Sequence, residues 1–137
     1  MKKNSTIIKK LRAIAKKAAS SAYSPYSKFK VGSAVLFSDK RITAGCNIEN
    51  SSYGATVCAE RVAIWKGISE KKSTIEHIYV FSEGGWPPCG ECLQVIAEFA
   101  TAKTLVTIGN PSGKEQTLPL KDILPLAFTP EHLYAAK

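Results

Sequence analysis

The chain has 137 residues, a formal net charge of +8 and an apolar share of 45%, which predicts one globular domain over residues 1–137 and excludes a disordered chain. No apolar run reaches the length of a membrane span, and Met1-Lys2-Lys3-Asn4 is followed by no signal core, so a cytoplasmic protein with no membrane partner is expected. In that reducing compartment four cysteines read as ligands, nucleophiles or buried small side chains, not disulfides.

A first helix is predicted from about Ser5 to Ala19, capped by Asn4 or Ser5. Ile7, Ile8, Leu11, Ile14, Ala15 and Ala18 recur at helical spacing, and the lysines fall mainly between them. Much of the positive charge therefore reads as the wet face of one helix, with a nucleic-acid footprint as the sharper alternative. Ser24-Pro25-Tyr26-Ser27 is a turn. Phe29 to Phe37 is a strand, and Asp39-Lys40 turns it into a second, Arg41 to Ile48. A polar stretch from Glu49 to Gly54 precedes a helix from about Val57 to Ile68. His77 to Phe81 is a strand, Gly84 to Pro88 a loop, and Cys89 to Ala100 a third helix. Thr104 to Ile108 and Gln116 to Leu118 complete five strands. A hairpin followed by helix–strand alternation predicts an α/β fold in α-β-α layers: one mixed five-stranded sheet flanked by helices.

The chemistry concentrates in three cysteines. Pro88-Cys89-Gly90-Glu91-Cys92 is a C-x-x-C at a helix start, and its sulfurs, three residues apart on one turn, can point at one ion. Cys58 opens the preceding helix. Helix N-termini stabilise anions and lower thiol pKa, so three thiolates can converge on one Zn²⁺ and leave its fourth position to water. Cys46 sets up a rival, a closed Cys₄ module without catalysis, but Ile42-Thr43-Ala44-Gly45-Cys46 reads as a strand with Cys46 on an apolar face.

Glu60 stands two residues after Cys58. A Cys, one residue, a Glu, and later Pro-Cys-x-x-Cys form the zinc-deaminase signature, in which the Glu is general acid/base and not a ligand. One carboxyl beside the metal water can deprotonate the nucleophile, protonate a ring nitrogen and protonate the departing amine. Its bland reading is a carboxylate complementing a helix dipole. Three thiolates give Zn²⁺ a formal charge of −1, which weakens it as a Lewis acid. Arg61 is the candidate to draw charge off the sulfurs; its bland reading is a surface arginine.

These motifs resemble the small, three-cysteine cytidine deaminases of nucleoside salvage. The similarity runs through Ser24 to Gly32, Asn47 to Gly54, Thr56 to Arg61 and Pro88 to Val95, with a weaker match at Leu124 to Pro130. The resemblance implies deamination of cytidine and deoxycytidine to uridine products and ammonia, with zinc-bound hydroxide attacking C4. It implies Phe29 lining the nucleoside pocket, Asn47 and Glu49 on the ribose hydroxyls, and Ala59 contacting the base through its backbone. Phe128 would close over the base of a neighbouring subunit in a homotetramer with shared sites. A carboxylate at Glu49 is hostile to phosphate, which favours a free nucleoside and argues against a nucleic-acid partner. A deaminase of a nucleoside antibiotic of the blasticidin S type is the nearest rival. The sequence departs from the family where Leu93 replaces an arginine, Pro87 a serine and Glu91 a small residue, with Trp86 just before them.

Overall fold

The computed structural model describes residues 2–135, with side chains from residue 5 onward. The elements are α1 (Lys2–Ser20), β1 (Val31–Phe37), β2 (Ile42–Cys46), α2 (Ala59–Glu70), β3 (Ile75–Ser82), α3 (Gly90–Glu98), β4 (Ala100–Gly109), β5 (Glu115–Pro119), α4 (Leu120–Ile123) and α5 (Pro130–Ala135), with one 3₁₀ turn at Tyr53–Ala55. The strands form one sheet in the order β2-β1-β3-β4-β5. Only the β3–β4 pair is parallel, with α3 as its crossover. Among the described residues no helix is long and apolar enough to cross a membrane.

Two apolar clusters fill the two faces of the sheet. Leu11, Ala15 and Ala19 of α1 pack on Ala34, Leu36, Tyr79 and Phe81. Val35, Phe37, Ile78, Val80, Val106 and Ile108 pack against Ala63 and Ile64 of α2 and Ile96 of α3. The alternation of β1 and β3 residues between the clusters follows the two-residue period of a strand, and the result is the expected α-β-α layering. Small residues set the spacing. A Cβ on Gly32 would overlap the Ala15 carbonyl, so α1 rests directly on the strand backbone.

The expected capping of α1 at Asn4 or Ser5 is not what the structure adopts. The helix already runs from Lys2, because nothing between Lys2 and Ser5 breaks it; the side chains of Lys2, Lys3 and Asn4 lie outside the described residues. β1 begins at Val31, not Phe29, because residues 29 to 31 are bonded to a side chain before the ladder starts. Asn47 Oδ1 accepts from Val31 N (2.8 Å) and Nδ2 donates to Phe29 O (2.8 Å). The hairpin turn lies at Asp39–Lys40 as read, with Lys40 in the left-handed region at φ 72°.

One partly exposed network ties the far edge of the sheet to α1. Tyr79 OH and Arg12 Nε both donate to Glu115 Oε1 (2.5 Å each), and Arg12 Nη2 pairs with Glu115 Oε2. The Arg12 guanidinium, chiefly, holds the Glu115 carboxyl below the usual carboxylate range. A depressed folded pKa contributes stability above the unfolded pKa and loses it as pH falls through the folded value. Arg12→Gln is therefore expected to lower stability at pH 7 by about 1 kcal/mol, since the pair is partly exposed. The gap from the parent should close in denaturant titrations run below about pH 4.

Candidate active site

The start of β1, the end of β2 and the end of β3 meet at one edge of the sheet, where α2 and α3 begin. That convergence brings residues 27–31, 47–49, 56–60 and 80–89 around one cavity of about 470 Å³. A volume of that size suits a small molecule. Its walls include Phe29, Val31, Asn47, Glu49, Cys58, Ala59, Glu60, Val80, Trp86, Pro87 and Cys89.

Cys58 and Cys89 occupy equivalent places. Each is the extended residue just before a helix, at φ −74° and φ −70°, and its carbonyl accepts the first helical bond, from Val62 N and Leu93 N. Cys92 lies buried in the first turn of α3. The three sulfurs lie within 4.8 Å of one another. Sulfurs about 2.3 Å from a tetrahedral Zn²⁺ stand about 3.8 Å apart, so small side-chain adjustments close the set around one ion. Their protons are already unequal. A hydrogen bond from the Cys92 thiol, helped by Arg61, holds the Cys58 thiol well below its ordinary range, and the same bond with burial pushes Cys92 far up. An anionic sulfur already stabilised before a cation arrives is the donor chemistry zinc selects.

Cys46 does not join them. Thr43 and Gly45 of β2 face α2, so the two-residue period turns Ile42, Ala44 and Cys46 to the other side. Among the described residues the metal-competent group is Cys58, Cys89 and Cys92, and the closed four-cysteine module is excluded on geometry.

Glu60 is 4% exposed, and its Oε2 has no hydrogen-bond partner among the described residues. Burial, with the negative charge of Cys58 adding to it, raises its carboxyl to about 7. Ala59 is fully buried at the cavity wall. Arg61 lies with Nη2 3.8 Å from Cys58 Sγ and Nη1 3.1 Å from Glu91 Oε2, its guanidinium 5.8 Å from the Trp65 ring centroid. Glu91 is 75% exposed on its side chain and turned outward to that arginine. It therefore shares the cation with Cys58 instead of sitting against the sulfurs. Leu93 is half-buried against the sheet core and supplies no charge.

Glu49 faces the cavity with three of its acceptor positions taken. Oε2 accepts from Tyr26 N (2.9 Å) and Ser27 N (3.2 Å), and Oε1 accepts from Ser27 Oγ. The Ser27 hydroxyl, chiefly, keeps the carboxyl below its ordinary range. Trp86 packs over Gly84, where a Cβ would overlap the indole, and the Trp86 backbone N–H donates to Ser82 Oγ (3.1 Å). The ring thus covers the loop and walls the cavity together. Phe128 is not in the cavity. Its ring stacks on His132 at 5.4 Å, and its carbonyl accepts from Gln94 Nε2. Sequence reasoning missed Ser27 and Ser82, which hold Glu49 and Trp86. The turn at Ser24-Pro25-Tyr26-Ser27 was the available signal for the first; nothing in the sequence pointed to the second.

Comparison with known proteins agrees with this geometry. The family model described as the cytidine and deoxycytidylate deaminase zinc-binding region matches residues 5–108. A cytidine deaminase of Halalkalibacterium halodurans is 46% identical over 114 residues, covering 82% of this chain and 86% of that protein. One of Sporosarcina psychrophila is 45% identical over 133 residues, covering 95% and 98%. The solved cytidine deaminase from Burkholderia pseudomallei matches with a TM-score of 0.82 at 38% identity, over 86% of this chain and 96% of that one.

Proposed function

Since the chain belongs to the cytidine and deoxycytidylate deaminase family, we propose that it is a zinc-dependent aminohydrolase converting cytidine and deoxycytidine to the uridine products and ammonia. The observation that carries this reading is a buried carboxyl, Glu60, on the wall of a nucleoside-sized cavity beside three convergent sulfurs. Cys58, Cys89 and Cys92 would hold the zinc ion, which supplies when bound a water acidified enough to lose a proton near neutral pH.

Glu60 then moves protons. It accepts one from the water as oxygen bonds to C4, delivers it to N3, and passes the second water proton to the amine as the C4–N bond breaks. Water and cytidine become uridine and ammonia, and Glu60 ends in the state in which it began. A carboxyl raised by burial to about 7 can both take and give a proton at the working pH. Ala59 packs beside Glu60, where its backbone can meet the base. Phe29 and Trp86 supply apolar walls.

On the ribose, Glu49 retains about one free acceptor position of its four, and the Asn47 amide one donor and one acceptor. That leaves a sugar hydroxyl one charged partner already fixed in place by Tyr26 and Ser27. The ionised carboxylate opposes a phosphate there, so a free nucleoside is favoured over a nucleotide. Phe128 is 56% exposed and Leu126 94%, outside their own chain's cavity. Both fit a homotetramer in which Phe128 closes a neighbour's site.

The direct test is loss of cytidine absorbance on adding zinc-loaded protein. No conversion of either nucleoside would sink the proposal. Arg61→Ala is expected to keep the metal and lower turnover about tenfold, because the Cys58 sulfur loses its charge-assisted donor. Metal analysis beside saturation kinetics checks both halves, and an unchanged rate at saturating substrate would remove Arg61 from the mechanism.

A further inference from the structure

α1 carries a line of positive charge that deamination does not use. Lysines occur in adjacent pairs at positions 2–3, 9–10 and 16–17. A step of seven residues is two helical turns, so the pair at 16–17 returns to within about 20° of the side of the pair at 9–10 and lies about 10.5 Å further along. The helix contains no Asp or Glu. Lys9, Lys10, Lys16 and Lys17 are exposed, and among the described residues none of the four has an ion-pair partner. Arg12, between them, is the contrast: it is bound to Glu115.

The line continues past the helix. Lys16 walls a cleft of about 400 Å³ together with Lys28, Lys30 and the single carboxylate Glu83. This cleft shares no lining residue with the catalytic cavity.

The sequence expectation of no nucleic-acid partner rests on Glu49, which lines the catalytic cavity and not this cleft. We propose that Lys9, Lys10, Lys16 and Lys17, with Lys28 and Lys30 at their end, bind the phosphate backbone of a nucleic acid on a surface separate from the active site. Charge of one sign repeated at a fixed step complements a polymer whose own charge repeats along a line. An anionic bilayer fits less well. The apolar face of α1 is buried on the sheet and cannot insert. A plane of headgroups also cannot enter the concave cleft where the line ends. The aromatic residue in that cleft, Phe81, is buried and offers no base a stacking platform. Contact is therefore with phosphates and blind to base sequence.

Fluorescence anisotropy of a labelled RNA of about 20 nucleotides, titrated with the zinc-loaded full chain, tests this. Micromolar binding is expected at about 50 mM salt, with log K falling against log salt at a slope of about −3 to −4 for four to six contacts. Replacing Lys9, Lys10, Lys16 and Lys17 by Gln should weaken binding at least about tenfold and flatten the slope by about 3. Replacing the same four by Arg should restore both. Cytidine turnover should be unchanged in either variant, which shows that the fold is intact. Absence of RNA binding at low salt would overturn the proposal. Equal binding by the Gln variant would overturn it too, as would capture by phosphatidylserine vesicles that RNA does not displace.

Discussion

Glu60→Gln is expected to lower turnover of cytidine by about 100- to 10,000-fold while the protein keeps its metal. The substitution preserves the size and shape of the side chain and removes its ability to exchange a proton, together with its charge. Everything around Glu60 suggests that this ability is what the position requires. The group is almost wholly buried, yet its Oε2 has no hydrogen-bond partner among the described residues. A buried polar atom left unpaired costs stability, so a purely structural carboxyl there would be a poor choice. Burial also moves it to about 7, where both protonation states are accessible. Zinc should survive because the three sulfurs form the metal-competent group without the carboxylate. Kinetics at saturating cytidine, with metal content measured on the same sample, make the test. A zinc-loaded Gln variant with the parent's turnover would show that the protons travel by another route.

Much of this site could be read from the sequence because its chemistry is local. Cys58 and Glu60 are two residues apart, and Cys89 and Cys92 lie on one turn, so helix starts alone aim them. The layering was readable for a similar reason: the apolar period of two in β1 and β3 is filled by apolar faces from both sides. What could not be read depends on pairs distant in sequence. The Arg12–Glu115–Tyr79 network spans the chain, and no spacing rule anticipates it. From sequence alone, Glu91 is an added anion beside a −1 metal site, expected to reduce its Lewis acidity further. Its exposed side chain and ion pair with Arg61 change the question to one of competition for a single guanidinium. The short helices α4 and α5 have too few turns to show a period.

Gly45→Ala is expected to cost about 3 kcal/mol of stability and to lower turnover about 100-fold in the protein that still folds. A Cβ at Gly45 would lie 2.6 Å from Ala63 N, 2.7 Å from Ala59 O and 2.8 Å from Val62 Cβ. Two of those atoms are helix backbone, which cannot rotate away as a side-chain tip can. Two residues earlier on the same face of β2, Thr43 Oγ1 donates to Ala63 O (2.6 Å) and fixes the helix along the strand. Thr43 thus sets the register of α2 and Gly45 its height. Relief of the overlap must lift the N-terminal half of α2, and that half carries Glu60 directly after Ala59 and Cys58 directly before it. A displacement of about 1 Å of the proton-carrying group from the reacting carbon is enough for a rate loss of that order. Gly90→Ala supplies the control. It opens α3 between the same kind of neighbours, but a Cβ there meets nothing within 4 Å, so melting temperature should hold or rise slightly. Thermal unfolding and kinetics of the two variants together decide the matter. A Gly45→Ala protein with the parent's melting temperature and turnover would mean that the packing of α2 on β2 does not position the site.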